Sequence, residues 1–85
     1  MPEISRFYGI SITMNYNDHS PPHFHANYQD YEISVDIKTG LVKGTMPKRA
    51  LKMIFEWLDL YKDDLLHDWQ LARDRKKLLK ITPLS

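Results

Sequence analysis

The sequence predicts a single α+β domain over residues 1–85, in which an antiparallel sheet of about four strands (residues 4–46) is followed by two helices (residues 47–61 and 63–75). Apolar and polar residues alternate with a period of two in the first half, which is typical of half-buried strands. After Pro47 the apolar residues recur about every 3.6 positions, which indicates helices. Eighty-five residues are enough for one hydrophobic core, so the helices are expected to pack on one face of the sheet.

Composition excludes several classes of protein and site. The chain contains no cysteine, which rules out disulfides, thiol chemistry and cysteine-ligated zinc. Its first residues lack an apolar signal-peptide core, and no stretch approaches the roughly 18 apolar residues that span a bilayer. A net charge of +1 provides no overall field that would attract nucleic acid or a membrane surface. These features predict a cytoplasmic protein that does not enter a membrane.

Four alternating segments in the first half are the predicted strands. They lie at residues 10–16, 23–28, 31–37 and 41–46. Gly9 permits a bend after the stretch at residues 4–8, and residues 17–22 are rich in turn formers. Gln29 and Asp30 together have the length of a two-residue hairpin turn, so a hairpin is expected there.

The register of the hairpin around residues 29–30 follows from its buried face. A slip of one residue would turn every apolar side chain to the opposite side of the sheet. The register that keeps the apolar residues together pairs His23 with Asp36. It also pairs His25 with Ser34, so both histidines are expected on the polar face.

The register of the preceding hairpin is predicted by the same matching of apolar residues, which places Met14 opposite Ala26. The polar pairs that follow are Asn15 with His25 and Asn17 with His23. One face of the sheet is then polar and is expected to stay uncovered, because the helices cover the other. Its residues are Asn15, Asn17, His23, His25, Asn27, Glu32, Ser34 and Asp36, with Asp18 and His19 at the rim.

The second half predicts two helices joined near Lys62 by a tight turn or only a kink. Pro47 suits a first helical position, and Asp63 and Asp64 can cap a second helix. A short final strand is expected at residues 78–82.

Trp57 and Leu60 lie off the main apolar stripe of the first predicted helix. We expect them to complete the contact between the two helices. The alternative is that they lie in an interface with another molecule.

The histidines suggest a metal site. His23 and His25 are two residues apart on a strand and so point the same way, with their Cβ atoms about 6.5 to 7 Å apart. His19 is a candidate third ligand, and Asp36 could ligate the metal or orient His23. The expected metal is a divalent transition ion, zinc or nickel. Two alternatives stay open: histidines that only form structural hydrogen bonds, and histidines that contact a ligand or RNA without metal.

A second candidate chemistry is metal-free acid–base catalysis. Any of the three histidines could move a proton near neutral pH, with Asp36 as the group that orients it. Lys43 or Arg6 could hold an anionic substrate. No serine stands in a setting typical of a nucleophile, so acyl transfer is not supported.

A third candidate is a binding module that uses basic residues. Lys48 and Arg49 open the first predicted helix, and Asn15, Asn17, Asp18 and Asn27 offer polar contacts on the sheet. A basic stretch that could contact RNA or DNA comprises Arg73, Arg75, Lys76 and Lys77. The alternative for this stretch is that its charges only complement the dipole at the carboxyl end of a helix.

Several blocks of the sequence resemble one family of bacterial proteins. They are residues 4–10, Asp18-His19, Pro21-Pro22-His23-Phe24-His25-Ala26, Asp36-Ile37, Thr39-Gly40, Pro47-Lys48-Arg49-Ala50-Leu51, Glu56-Trp57, Trp69, Leu71-Ala72, Ile81 and Pro83-Leu84. On these residues the chain resembles, over nearly its whole length, domain of unknown function family 4160. It departs at Ser20, where asparagine is usual, and in residues 73–77, which are more basic than the resemblance leads us to expect.

The resemblance implies a small bacterial protein, often encoded beside another small uncharacterised domain in an arrangement like a toxin–antitoxin operon. The leading prediction is therefore a cytoplasmic interaction module of a two-protein system, with a partner encoded by a neighbouring gene and the histidine-bearing face as its functional surface. The alternative is a metal-dependent hydrolase or ribonuclease that uses His19, His23 and His25. Self-association into a homo-oligomer is left open.

Overall fold

Five antiparallel strands and one long helix make up the computed structural model, which describes residues 2–85. The strands are β1 (Glu3–Phe7), β2 (Ile10–Thr13), β3 (His23–Tyr28), β4 (Tyr31–Asp36) and β5 (Val42–Gly44), and they lie side by side in the order of the chain. The helix, α1, spans Lys48–Arg73. The predicted α+β class and antiparallel sheet are confirmed.

The prediction of about four strands is wrong, because Glu3–Phe7 form a strand of their own instead of leading into the next. Tyr8 and Gly9 have φ angles of 51° and 79°. Positive φ at both central residues is the requirement of the tight hairpin turn that matches strand twist. The chain therefore folds back at Gly9, and β1 pairs with β2.

The register predicted for the hairpin of β3 and β4 is confirmed at every pair. His23 lies opposite Asp36, and His25 lies opposite Ser34. The turn is at residues 29–30, as predicted.

The register predicted for β2 and β3 is wrong by two residues. Ala26 lies opposite Ile12 and not Met14, and His25 lies opposite Thr13. Since β2 ends at Thr13, Asn15 and Asn17 are not strand partners of the histidines. A shift of two residues keeps each side chain on its predicted face, because the side-chain period of a strand is two.

The prediction of two helices is also wrong, because α1 continues through the expected break, which is a kink and not a tight turn. Tyr61 has non-helical angles (φ −121°, ψ 26°) and marks a kink inside the helix. The chain contains neither glycine nor proline between Pro47 and Thr82, so nothing in the sequence stops the helix at the kink. The second half of α1 runs on from this kink to Arg73.

The carboxyl-terminal segment returns along β1 but does not form the strand predicted at residues 78–82. The N–H of Ile81 donates to the carbonyl of Ile4 at 2.8 Å. Trp57, which is fully buried, donates its indole N–H to the carbonyl of Thr82 at 2.9 Å. The segment is thus held against both the sheet and the helix.

The core lies between α1 and the apolar face of the sheet. The indole of Trp57 packs 5.3 Å from the ring of Phe7 and 5.7 Å from that of Phe24. Trp57 therefore fills the core and does not lie in either of the two places predicted for it. Leu60 is 66% exposed and makes no contact between helices.

The sequence predicts that no stretch of the chain is long and apolar enough to span a bilayer. Across residues 2–85, no helix combines the length and apolar composition that such a crossing needs.

Candidate metal centre

The first two residues of the site are His23 and His25 on β3, which point to the same side of the sheet. Their ring centroids are 5.1 Å apart and the rings meet edge to face. Their side chains are 21% and 19% exposed. Alternation along a strand brings the two imidazoles together, as the sequence predicts.

The third residue is Asp18, which lies in the loop before β3. Its Oδ2 atom is 3.1 Å from Nε2 of His23 and 3.1 Å from Nε2 of His25. All three atoms lie within 4.8 Å of one another. Within residues 2–85, this is the one cluster of three or more acidic or histidine side chains with the spacing of metal ligands.

The Nδ1 atom of His23 determines what its Nε2 atom can do. Nδ1 lies 2.9 Å from the carbonyl oxygen of Pro21. Because a carbonyl can only accept, Nδ1 carries the proton, and Nε2 of the neutral ring carries a lone pair. That lone pair faces Oδ2 of Asp18, which is also an acceptor. The contact is favourable only when a proton or a metal cation lies between them.

The Nε2 atom of His25 has two polar neighbours. It lies 3.1 Å from Oδ2 of Asp18 and 3.4 Å from Nδ2 of Asn15. Asn15 thus contacts His25 through its side chain, even though it is not the strand partner predicted for it. The amide flanks the cluster and restricts the orientation of the His25 ring.

Trp69 closes one side of the cluster. Its ring centroid lies 5.3 Å from that of His23, and its side chain is buried. Trp69 belongs to the part of α1 that follows the kink at Tyr61. The prediction that the helix leaves the histidine face uncovered is therefore wrong at the His23 end, which the helix and the loop partly cover.

A cleft of about 330 Å³ opens beside the cluster. The side chains that line it include Asp18, His19, Ser20, His23, Ser34, Asp36, Leu41 and Lys43. A cleft of this size falls in the range of small-molecule sites, and two members of the cluster, Asp18 and His23, line it.

Asp36 lines this cleft, but its carboxylate has another role. Oδ1 accepts backbone hydrogen bonds from Lys38 at 2.9 Å and from Thr39 at 3.0 Å. The bond from Thr39 is the largest cause that holds the pKa of Asp36 below its usual range. The carboxylate predicted as a ligand or orienting group thus holds the turn between β4 and β5, and it is not part of the three-residue cluster.

His19, the predicted third ligand, is exposed, lines the cleft and lies outside the cluster. Asp18, and not His19, is the third residue of the cluster beside His23 and His25. Both residues lie in an irregular loop, where no periodicity indicates which side chain points inward.

A second cleft, of about 410 Å³, shares the loop at residues 18–20 with the first. Tyr16, Asn17, Arg73 and Arg75 line it. Nη1 of Arg73 donates to Oγ of Ser20 at 3.2 Å. Two of the predicted basic residues and Asn17 are thereby placed next to the histidine cluster.

The other predicted binding residues lie elsewhere. Asn27 pairs with Ser11 and Glu32 across the sheet. Lys48 and Arg49 are exposed at the start of α1, and Lys76 and Lys77 are exposed after its end. Arg6 pairs with Glu3 at 2.8 Å on β1, whereas Lys43 lines the first cleft, so only Lys43 is placed to hold an anion there.

The family model described as Domain of unknown function (DUF4160) matches residues 9–70. The match covers most of the chain, including Asp18, His23 and His25, and the chain belongs to this family. No curated protein and no solved structure gives a significant match to the chain.

Proposed function

We propose that this member of the DUF4160 family binds a divalent transition metal, zinc or nickel, through Asp18, His23 and His25, and uses it for hydrolysis. The observation that carries the proposal is the pair of contacts made by His23, whose Nε2 atom lies 3.1 Å from Oδ2 of Asp18 while its Nδ1 atom lies 2.9 Å from the Pro21 carbonyl. With Nδ1 donating to that carbonyl, Nε2 of the neutral ring is an acceptor like the carboxylate. A metal ion bound by both atoms removes the repulsion between two acceptors. The hydrogen bond between His23 and the Pro21 carbonyl is the kind of contact that orients a metal-bound histidine.

The distances support the same interpretation. Two ligands of a tetrahedral ion, each about 2.0 to 2.1 Å from the metal, are about 3.3 Å apart. The carboxylate oxygen of Asp18 is 3.1 Å from each imidazole nitrogen. The distances from the Asp18 oxygen to the two imidazole nitrogens therefore need to change little for the cluster to bind an ion.

The number and type of ligands favour a reactive centre over a structural one. Structural zinc sites use four protein ligands, whereas catalytic sites commonly use three and keep a position for water. Two imidazoles and one carboxylate form such a three-ligand set here, next to a cleft. A metal in this set would lower the pKa of a bound water and polarise a substrate oxygen.

Metal binding is tested by calorimetric titration of zinc chloride and nickel chloride into the untagged protein. We expect one ion per chain, and we expect Asp18→Asn and His23→Gln each to weaken binding by about 100-fold, since each removes one of three ligands. His67→Gln is the matched control, because His67 is exposed on α1 and outside the cluster. Thermal unfolding of each variant checks that it is folded.

The metal-free alternative is a protonated His23 that forms an ion pair with Asp18. It predicts no metal-dependent heat in the wild type, or equal heats for the wild type and His23→Gln. Either result would overturn the proposed metal centre.

We also propose a second function, as a cytoplasmic module that binds a protein partner in a two-protein system of the toxin–antitoxin kind. The observation that favours it is an apolar groove on the first turns of α1. Leu51 and Phe55 line the groove, and Lys48, Arg49 and Lys52 surround it. An apolar groove with a basic rim suits an acidic amphipathic segment of another protein.

The second function is tested by co-expression with the protein encoded next to the gene. We expect the two proteins to elute together, and Arg49→Glu combined with Lys52→Glu to abolish the complex. Lys76→Glu combined with Lys77→Glu is the control with the same charge change away from the groove. Elution of the wild type alone, as monomer or homo-oligomer, would contradict the proposal.

A toxin role has its own test, which is growth after induced expression. Growth arrest that His23→Gln relieves would support it. Unaffected growth with the wild type would remove the toxin role and leave only that of an antitoxin or a neutral partner.

A further inference from the structure

We propose that the metal centre acts on a phosphoryl substrate, for which Arg73 and Arg75 in the second cleft and Lys43 in the first cleft supply positive charge on the two sides of the loop at residues 18–20. This inference rests on the proposed metal centre and names the class of substrate that it takes. It follows from the positions of three cationic side chains in the two clefts that share the loop at residues 18–20.

The loop at residues 18–20 is the common wall of the two clefts. Its first residue, Asp18, belongs to the metal cluster. Its last residue, Ser20, accepts a hydrogen bond from Arg73 at 3.2 Å. The guanidinium group is therefore tied to the same short loop as the proposed metal ligand, and it lies in the cleft adjacent to the metal.

The chemistry of arginine indicates what the second cleft binds. The planar guanidinium group can donate two parallel hydrogen bonds to a phosphate, and arginine is the preferred residue for such recognition. Arg73 and Arg75 both line this cleft, together with the amide of Asn17. The second cleft is therefore lined by hydrogen-bond donors that are positively charged or neutral. Its acidic residue is Asp18, whose negative charge a bound metal ion would neutralise.

Lys43 supplies a cation to the first cleft. It lies on β5 opposite Ser34, which lies opposite His25 on β3. The three side chains therefore form a row across one face of the sheet, with the lysine on the edge strand. Lys43 also lines the first cleft, so its ammonium group would supply positive charge to a phosphoryl oxygen bound there.

Two sources could deliver the phosphoryl group: a small phosphate ester, or the backbone of a single-stranded RNA. The first needs only the cleft residues. The second would also use Lys76 and Lys77, which continue the basic stretch beyond Arg75 on the exposed surface.

The test compares two probes on the zinc-loaded protein. They are uridine 5′-monophosphate and a fluorescent single-stranded RNA of about ten nucleotides, the length of a typical single-strand site. Binding is measured by calorimetry and by fluorescence anisotropy, and zinc affinity is measured separately on each variant. We expect the double variant Arg73→Gln, Arg75→Gln to weaken binding of the phosphate probe by about tenfold or more, since it removes charge-assisted hydrogen bonds.

The same variant should leave zinc affinity within about twofold of the wild type, because neither arginine belongs to the cluster. Lys43→Gln is also expected to weaken binding of the phosphate probe and to leave zinc affinity unchanged. Lys38→Gln combined with Lys62→Gln is the control, because it removes two positive charges from exposed residues that line neither cleft.

Each outcome has a definite meaning. Similar affinities for the two probes assign the site to small phosphate esters, and an RNA affinity at least about tenfold higher, reduced by salt, assigns it to RNA. Zinc binding with no phosphate binding, or with binding equal in the arginine variant and the control, would overturn the phosphoryl inference alone. Absence of zinc binding would overturn the proposed metal centre itself.

Discussion

Oδ1 of Asp68 accepts a hydrogen bond from the backbone N–H of Leu79 at 2.9 Å, which joins the helix to the carboxyl-terminal segment. The other oxygen, Oδ2, is buried and has no hydrogen-bond partner among the described residues. Burial raises the pKa of Asp68, and the bond from Leu79 opposes that rise only in part. A charged carboxylate at this position is therefore held at a cost in stability.

The first prediction concerns the substitution Asp68→Asn. The folded protein binds the Asp68 proton more tightly than the unfolded chain, because its pKa is raised in the fold. The carboxyl group therefore favours folding most at acidic pH, and this contribution is lost as pH rises through the raised pKa. Asparagine keeps an acceptor for Leu79 and carries no charge, so Asp68→Asn should be about 1 to 2 kcal/mol more stable than wild type at pH 7.

The measurement is urea unfolding of both proteins between pH 4 and pH 7. The advantage of Asp68→Asn should shrink as the pH falls. Asp63→Asn removes the same charge from an exposed position on the same helix and should change stability by less than about 0.5 kcal/mol. A variant less stable than wild type at pH 7 would show that the bond to Leu79 needs the charged group.

The second prediction concerns Gly44 at the end of β5. Its φ is 107°, and a Cβ atom placed there would lie 2.6 Å from the carbonyl oxygen of Glu32. Gly44→Ala should therefore cost about 2 to 4 kcal/mol, from a strained backbone and a clash with backbone atoms that cannot move easily. Gly40 also has positive φ, but there the nearest atom would be a side-chain carbon of Phe55 at 3.6 Å. Gly40→Ala should cost about 1 kcal/mol, and equal losses in the two variants would contradict the clash argument.

Strand faces could be predicted from the sequence because they depend only on alternation. The pairing of β3 with β4 was correct because a two-residue turn leaves a single register for a given buried face. The pairing of β2 with β3 was wrong because the loop between them allows registers two residues apart that bury the same face. Apolar matching cannot choose between such registers.

The sequence does not indicate the extra strand or the single helix, and the reasons differ. Tyr8 is not a residue that usually adopts positive φ, so the tight turn at Tyr8 and Gly9 had only half of its usual sequence signal. In the helix, Asp63 and Asp64 look like caps, but the backbone at Tyr61 absorbs the change of direction without a cap. Capping residues permit a helix start and do not require one.

The candidate site also contains residues that the sequence can place and residues that it cannot. His23 and His25 could be predicted as neighbours, because both lie on one strand at a spacing of two. Asp18 could be placed only at the rim, since a loop has no period that reveals where a side chain points. The contact of Trp69 with His23 cannot be predicted from the sequence, because it depends on the path of α1 after the kink, which is a tertiary property.

The third prediction uses Trp69 as a reporter of metal binding. The chain has two tryptophans, and of these Trp69 is the one whose ring lies next to a proposed ligand, with its centroid 5.3 Å from that of His23. Nickel quenches indole emission at short range, so nickel should reduce the fluorescence of the wild type and of Trp57→Phe. Trp69→Phe should lose most of the quenching while it keeps nickel affinity by calorimetry. Quenching that persists in Trp69→Phe would place the ion away from His23.

The fourth prediction distinguishes the two carboxylates near the histidines. Asp36 is the strand partner of His23, but its Oδ1 atom is bonded to the backbone of Lys38 and Thr39. Asp36→Asn keeps an acceptor for that turn and should change zinc affinity by less than about threefold. Asp18→Asn should lower zinc affinity by about 100-fold, because Asp18 contributes the oxygen that both imidazoles face.

The comparison of these two isosteric substitutions is made by competition with a chromogenic zinc chelator, and unfolding curves show whether each variant is intact. Asp36→Ala, by contrast, should destabilise the fold by about 1 to 2 kcal/mol, because the two backbone N–H groups of the turn lose their acceptor. A large loss of zinc affinity in Asp36→Asn, with Asp18→Asn unaffected, would move the metal to the strand pair of His23 and Asp36. The proposed role of Asp18 would then be wrong, since both substitutions remove a charge of the same sign from the same cleft.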